Sequence, residues 1–245
     1  MVQPQYGVLV HGAGWVAGEH IKAFQKNPHT RIVALSSRRM ESVVQRANDF
    51  GMTDIGMYTD LEKALQHKGV DIVSICTPQH VHAENVIAAA GAGKHLVIEK
   101  PIANSLEEIR AMRDAVRQAG VKTVVSFVLR WNPLFSTLKN LIAQGAFGNI
   151  YYVETDYQSN IASWWAGFSE ARLKEKGVSA MLVAGCHALD AARWFAGPEQ
   201  DKAARVTEVF AYCGGWRKGC TREYNYYTGE WADNRPPLEY EGLEV

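Results

Sequence analysis

Tyr6-Gly-Val-Leu-Val-His-Gly-Ala-Gly-Trp-Val-Ala-Gly-Glu-His20 is the stretch from which the fold can be read. Tyr6 to His11 is a short, mostly apolar run that ends in glycines, the pattern of a buried strand. Gly14 to Lys26 has a helical pattern, which Asn27-Pro28 stops. The six residues between, Gly12-Ala13-Gly14-Trp15-Val16-Ala17, fit G-x-G-x-x-A, a dinucleotide fingerprint in its alanine-ended form. The first glycine permits a tight turn. The second lets backbone approach a pyrophosphate, which sits over the helix N-terminus. Gly12, Gly14, Trp15 and Val16 are therefore expected to contact a dinucleotide; an ordinary tight turn is the alternative.

The next hundred residues repeat the strand–helix rhythm. Strands are expected at Arg31 to Ser36, Asp71 to Cys76, His95 to Glu99 and Lys122 to Val128. Helices are expected at Glu41 to Phe50, Leu61 to His67, Val81 to Ala92 and from Ser105 to Ala119, the last with Glu108 at the capping-box position. Such alternation predicts βαβ units wound on both faces of a parallel sheet. Farther along, the rhythm changes. Pro133 to Gln144 and Val178 to Phe195 read as helices. Ile150 to Gln158 alternates like a half-exposed antiparallel strand, Arg205 to Tyr212 reads as another, and Leu238 to Val245 as the opening of one more. Composition shifts with it: of seven tryptophans, only Trp15 precedes position 130. A boundary is expected near Val128, with domains at 1–128 and 129–245.

Bulk composition narrows the function. Hydrophobic residues make up 47% and charged residues 21%, which excludes a disordered, collagen-like or disulfide-stapled chain. Lys+Arg and Asp+Glu are both 26, so no global field collects nucleic acid or anionic membrane. No apolar run approaches the roughly 20 residues of a membrane span. The first residues have no basic region and no signal-type apolar core, so a cytoplasmic protein is expected. Cys76, Cys186, Cys213 and Cys220 form no CxxC pair and no Cys/His metal spacing, so reduced thiols and no metal are expected.

The end of the second strand bears on cofactor choice. An acidic residue there would bind the ribose hydroxyls of NAD; this chain has Ser36-Ser37-Arg38-Arg39. Ser37 and Arg38 suit a 2′-phosphate through charge-assisted bonds, which predicts NADP(H), with NAD(H) as the alternative. A solvated basic start to a helix is the other reading. Cys76-Thr77-Pro78-Gln79-His80-Val81-His82 and Glu99-Lys100-Pro101 lie at strand C-terminal ends, where open α/β sheets bind ligands. Thr77, Pro78, His82, Glu99 and Lys100 are thus placed beside the dinucleotide.

GAGWVAGEH, CTPQHVH, GKHLVIEKP (Gly93 to Pro101), LRWNP (Leu129 to Pro133) and GCHALDAARWF (Gly185 to Phe195) occur in one order along the chain. In these pieces the sequence resembles the Gfo/Idh/MocA oxidoreductase family over nearly its whole length. The resemblance implies a Rossmann domain followed by an α/β domain with a mostly antiparallel open sheet. It also implies NAD(P)-dependent oxidation or reduction of sugars, cyclitols or related polyols by a homodimer or homotetramer. It makes Lys100 the lysine that meets substrate near the nicotinamide. Gly185, His187 and Asp190 match the family's G-x-H-x-x-D, and His187 and Asp190, three apart, share a helix face. His187 can take the hydroxyl proton as hydride leaves. The resemblance also places Arg130, Asn132, Arg172 and Lys174 among polar positions near cofactor and substrate: Arg130, Asn132 and Asp190 toward substrate, Arg172 toward cofactor.

Trp164-Trp165 lies in a loop before the His187 helix, and Trp164 is a candidate to stack on a sugar ring; core packing is the alternative. Val183 stands where many members carry an aspartate, so an Asp–Lys–His triad is not available. The chain is short for the family, and its second sheet is expected to be cut short or covered by a partner chain. Two other functions share this scaffold: a glycosidase or lyase that borrows a hydride and returns it, and a non-catalytic NAD(P)-binding regulator. Retention of both Lys100 and His187 argues against the regulator, which needs neither.

Overall fold

A run such as Val8-Leu9-Val10 can sit only where both of its faces are covered, because alternate side chains of a strand point to opposite sides. The computed structural model, which describes residues 6–158, 173, 176, 179, 181–197, 203–209, 223–225 and 230–232, provides that cover. The strands are β1 (Tyr6–His11), β2 (Thr30–Ser36), β3 (Gly56–Tyr58), β4 (Ile72–Ile75), β5 (His95–Ile98) and β6 (Thr123–Val125). They form one six-stranded sheet in the order β3-β2-β1-β4-β5-β6, and every neighbouring pair is parallel. This is the strand order of a doubly wound dinucleotide-binding fold.

Helices α1 (Trp15–Lys26) and α2 (Met40–Asp49) cover one face, packing Ala17, Ile21, Val43 and Ala47 against Val8, Val10, Ile32 and Leu35. Helices α3 (Leu61–Leu65), α4 (His82–Gly91) and α5 (Leu106–Ala119) cover the other, packing Leu65, Val86, Ala89 and Met112 against Leu9, Val73, Leu96 and Ile98. Each fully buried branched side chain contributes about 1.5–3 kcal/mol, so both faces drive the same architecture. Local signals agree. The Ser105 hydroxyl accepts from Glu108 N–H, while the Glu108 carboxylate accepts from the Ser105 and Asn104 N–H groups. Gly120 ends α5 at φ 67°, in the left-handed region.

The chain divides into two compact units, Met1–Phe127 and Val128–Val245. In the second, a 3₁₀ turn (Val128–Trp131) leads into α6 (Pro133–Ala143), and a π turn (Met181–Gly185) leads into α7 (Cys186–Ala196). Strands β7 (Glu223–Asn225) and β8 (Glu230–Ala232) form an antiparallel pair. Lys139 of α6 is fully buried, and its Nζ donates to the carbonyls of Trp194 and Gly197, satisfying acceptors at the end of α7.

Several sequence expectations are corrected here. Residues 150–158 are not a strand, and neither are residues 205–209, the described part of the stretch expected at Arg205 to Tyr212. Alternation marks a segment that could join a sheet, but a strand exists only where a neighbour completes its ladder. Here Tyr151 is 98% and Tyr152 71% exposed, and Thr155 instead donates to the Ala188 carbonyl of α7. The helix expected from Val178 is shorter. Ser179 Oγ accepts from Leu182 N–H, the backbone widens into the π turn, and regular α-helix starts only after Gly185. The short strand β3 carried no sequence signal. The strand expected at Leu238 to Val245 lies outside the described residues. Among the described residues, no helix is long and apolar enough to cross a membrane.

Candidate functional site

The carboxyl ends of β1, β2, β4 and β5 converge on one rim of the parallel sheet. Gly12 leaves β1 at φ 113°, and a Cβ there would lie 2.5 Å from the Cys76 carbonyl oxygen. Only glycine fits. Its N–H donates to the Ser36 carbonyl, tying the turn to β2. Gly14, by contrast, has nothing within 4 Å of where a Cβ would stand. It caps α1 with no side-chain acceptor, and the first turn holds no acidic residue. The N–H groups that open α1 therefore meet neither a side-chain cap nor a competing charge, which fits a pyrophosphate. Trp15 is largely exposed beside them. Arg46 of α2, which the sequence did not single out, donates from one guanidinium nitrogen to the carbonyls of Ala13 (3.0 Å) and Gly14 (3.1 Å), bracing the loop.

At the end of β2, Ser36 is buried and its Oγ lies 2.7 Å from His11 Nδ1. Burial, only partly offset by a hydrogen bond with Asn85 and reinforced by His82, pushes His11 down to about 4, so its ring is neutral at physiological pH. Ser36 thus faces inward, whereas Ser37 is half-buried and Arg38 and Arg39 are exposed. No carboxylate occupies this corner between Ser36 and Arg39.

The segments after β4 and β5 are joined by side chains. His82, 1% exposed, has Nε2 at 2.9 Å from the Thr77 carbonyl and Nδ1 at 2.9 Å from the Pro101 carbonyl. Burial holds its pKa below the usual value despite those carbonyls and nearby Glu99. Asn85 donates to Thr77 Oγ1, and Gln79 donates to Asn104. Glu99 continues the ladder one residue beyond β5, its N–H donating to Ile75, and its Oε2 accepts from the Lys100 backbone N–H at 3.1 Å. The Lys100–Pro101 peptide is cis. Glu99 Oε1 meets His20 of α1 at 3.0 Å. Burial opposes both charges, yet His20, held by hydrogen bonds and charge from Cys76 and Glu99, is pushed up to about 10. Glu99 is held below the ordinary carboxylate range by His20 and Lys100.

In the second unit, Arg130 makes a two-pronged contact with Asp190: Nε to Oδ2 at 2.8 Å and Nη2 to Oδ1 at 2.7 Å. Its guanidinium also lies over the Trp194 ring, 5.5 Å from the centroid. Both prongs of the Asp190 carboxylate are therefore engaged. Asn132 caps α6, its Oδ1 accepting from Leu134 N–H. His187, in the first turn of α7, is stacked on Tyr157 with ring centroids 6.0 Å apart and planes 18° apart. Val183 is buried. Trp164, Trp165, Arg172, Lys174, Cys213 and Cys220 lie outside the described residues. Asp190→Asn should lower unfolding free energy by about 1–3 kcal/mol, since a partly buried guanidinium loses its counter-charge. Urea denaturation would read it, and an unchanged midpoint would deny the pair a structural role.

Of the side chains the structure adds, His20, Arg46 and Tyr157 had sequence signals too weak to isolate. Each is one ordinary residue on a helix or loop whose partner lies elsewhere in the chain; only the GEH cluster hinted at one of them.

A glycine turn that admits no side chain, an uncapped helix opening and the joined ends of β4 and β5 define a Rossmann-type dinucleotide-binding protein. Two family descriptions match in succession: "Oxidoreductase family, NAD-binding Rossmann fold" over residues 6–127 and "GFO/IDH/MocA C-terminal domain" over residues 135–226. The chain belongs to the Gfo/Idh/MocA oxidoreductase family. It is 33% identical over 138 residues to 4-carboxy-2-hydroxymuconate-6-semialdehyde dehydrogenase of Sphingobium, covering 56% of this chain and 43% of that protein. It is 32% identical over 163 residues to levoglucosan dehydrogenase of Pseudarthrobacter phenanthrenivorans, covering 64% and 40%. Among solved structures, an aldose-aldose oxidoreductase from Caulobacter crescentus, complexed with glycerol, superposes with a TM-score of 0.71 at 27% identity, covering 78% of this chain and 58% of that one. The chain spans about half the length of the curated relatives it matches.

Proposed function

We propose that this chain serves an NAD(P)-dependent oxidoreductase that moves a hydride between a nicotinamide dinucleotide and a carbinol or carbonyl carbon of a sugar, cyclitol or related polyol. The observation that carries the reading is the rim of the parallel sheet. There the Gly12 turn and the open approach at Gly14 share one edge with the Glu99-Lys100-Pro101 segment. Residues 1–128 act as the cofactor domain and 129–245 contribute substrate contacts. When bound, the dinucleotide supplies or accepts the hydride. Lys100 donates a hydrogen bond to the reacting oxygen and stabilises negative charge as it develops there. His187 exchanges the hydroxyl proton at an imidazole nitrogen, and Tyr157 limits the tilt of its ring. Arg130, Asn132, Trp164 and Asp190 toward substrate, and Arg172 toward cofactor, belong to the same proposal. So do Thr77, Pro78, His82 and Glu99 as the wall beside the nicotinamide. The sugar class draws support from the levoglucosan and aldose-aldose relatives.

The cofactor is NADP(H), with Ser37 and Arg38 meeting the 2′-phosphate, because the β2 corner supplies a hydroxyl and an exposed guanidinium in place of a carboxylate. Arg38→Ala should weaken NADPH binding about tenfold, the worth of one charge-assisted contact, and leave NADH binding nearly unchanged. Fluorescence titration with both reduced cofactors checks this, and tighter NADH binding by the unaltered chain would sink the NADP assignment. The reaction itself is tested by screening sugars, cyclitols and polyols for a change in nicotinamide absorbance. Dinucleotide binding without turnover on any of them would overturn it.

A further inference from the structure

Glu99 is not an isolated carboxylate under the lysine; it is the middle of a chain of contacts that crosses the sheet edge to α1. His20 lies in the second turn of the helix that opens at the glycine loop. Its Nδ1 is 2.8 Å from Ser74 Oγ on β4, and its Nε2 is 3.0 Å from Glu99 Oε1. Ser74 Oγ in turn lies 3.6 Å from Cys76 Sγ. The second Glu99 oxygen accepts the Lys100 backbone N–H. The His20 and Glu99 side chains are 11% and 9% exposed. An ionised carboxylate can only accept, so Nε2 carries the proton in that contact. Ser74 Oγ can accept from Nδ1–H and still donate onward, so an imidazolium here has both N–H groups satisfied.

A buried carboxylate without a counter-charge would take up a proton or turn toward water. Turning would release the Lys100 N–H from Oε2, and a proton on Oε1 would end the charge attraction to His20. The side chain that meets its Oε1 comes from α1, not from its own strand. We propose that His20 is a positioning residue which, acting through Glu99, fixes the strand end from which Lys100 presents its ammonium. This rests on the reading of Lys100 as the substrate-facing lysine, and it adds a tie between that lysine and the helix carrying the dinucleotide. The same helix whose first turn receives the pyrophosphate would thereby set the lysine's place relative to the nicotinamide. The raised titration of His20 and the lowered titration of Glu99 agree with an ion pair; the other ionisable groups facing it are Cys76 and Lys100.

The test is chosen so that it does not depend on turnover. Competitive labelling with acetic anhydride, mapped by peptide mass spectrometry, reports the reactivity of each lysine in the folded chain. His20→Gln should change the Lys100 labelling rate by a factor of about three or more relative to Lys22 and Lys26. Glu99→Gln should do the same, and the double variant should match Glu99→Gln alone, because one residue acts through the other. An unchanged Lys100 rate in His20→Gln, or additive effects, overturns the proposal. Should the variants fail to fold, imidazole ¹⁵N NMR of the unaltered chain decides: His20 doubly protonated at neutral pH is required, and a neutral ring overturns it. Where turnover is measurable, His20→Gln should lower kcat about 10–100-fold, the usual effect of losing a supporting contact, with cofactor KM little changed. Absence of turnover together with the expected labelling pattern would fault the hydride-transfer reading and leave the His20 assignment standing.

Discussion

Lys100→Met should lower kcat by about 10²–10³, the usual effect of deleting one preorganised donor at a developing oxyanion, and leave dinucleotide affinity within a few fold. Methionine keeps the length and most of the volume of the lysine stem but offers no N–H. Lys100 also engages Glu99 through its backbone N–H, which methionine retains, and Glu99 is held by His20. The fold around the substitution is therefore expected to persist, and the loss should fall on the chemical step. Steady-state kinetics with the preferred polyol, alongside cofactor titration, would read both quantities. Turnover like that of the unaltered enzyme would remove Lys100 from the mechanism.

Gly12→Ala should destabilise the chain by about 3 kcal/mol or more, beyond the usual range for a single added methyl. Two costs add. An alanine at φ 113° is strained on its own, by roughly 1–3 kcal/mol. Its Cβ would also stand 2.5 Å from the Cys76 oxygen and 2.7 Å from the Cys76 carbon, both backbone atoms of the residue that directly follows β4. No rotamer relieves that contact. The turn cannot retreat cheaply either, since Gly12 N–H is bonded to Ser36 and Cys76 N–H to His11. Gly14→Ala is the control. At φ −72° with nothing within 4 Å, it should leave stability within about 0.5 kcal/mol yet weaken NADPH binding, because the methyl occupies the approach of the pyrophosphate. Urea unfolding and NADPH titration on the two variants separate the roles. Equal stability losses in both would contradict the geometry.

Much of the first unit was legible because its signals are short-range. Val8-Leu9-Val10 is apolar on both faces, so it needs helices on both sides. Ser105 and Glu108 cap α5 from within four residues, and Gly12 and Gly14 announce a turn. β3 was missed because Gly56-Met57-Tyr58 becomes a strand only by pairing with Ala34 to Ser36, and three residues carry no period of their own. The stretch at 150–158 erred the other way. Its alternation was genuine, but the structure spends Thr155 and Tyr157 on α7 and forms no ladder there.

The candidate site divides along the same line. Residue types and positions at strand ends were enough to nominate Thr77, Glu99 and Lys100, and the resemblance to the family added His187. They could not show that Asp190 is gripped by Arg130 sixty residues away, or that the Asn132 Oδ1 caps α6. Nor could they show that His82 spans the Thr77 and Pro101 carbonyls, or that Glu99 borrows its counter-charge from His20 on α1. The sequence by itself determined the parallel sheet and the glycine turn, because each follows from interactions within a few residues or from apolar periodicity, and it pointed to the family through the order of its motifs. Only the tertiary structure decided which polar side chains face one another. A buried donor or charge must find a partner wherever the folded chain brings one, and that partner is chosen by the packing of distant strands and helices, not by neighbours in sequence.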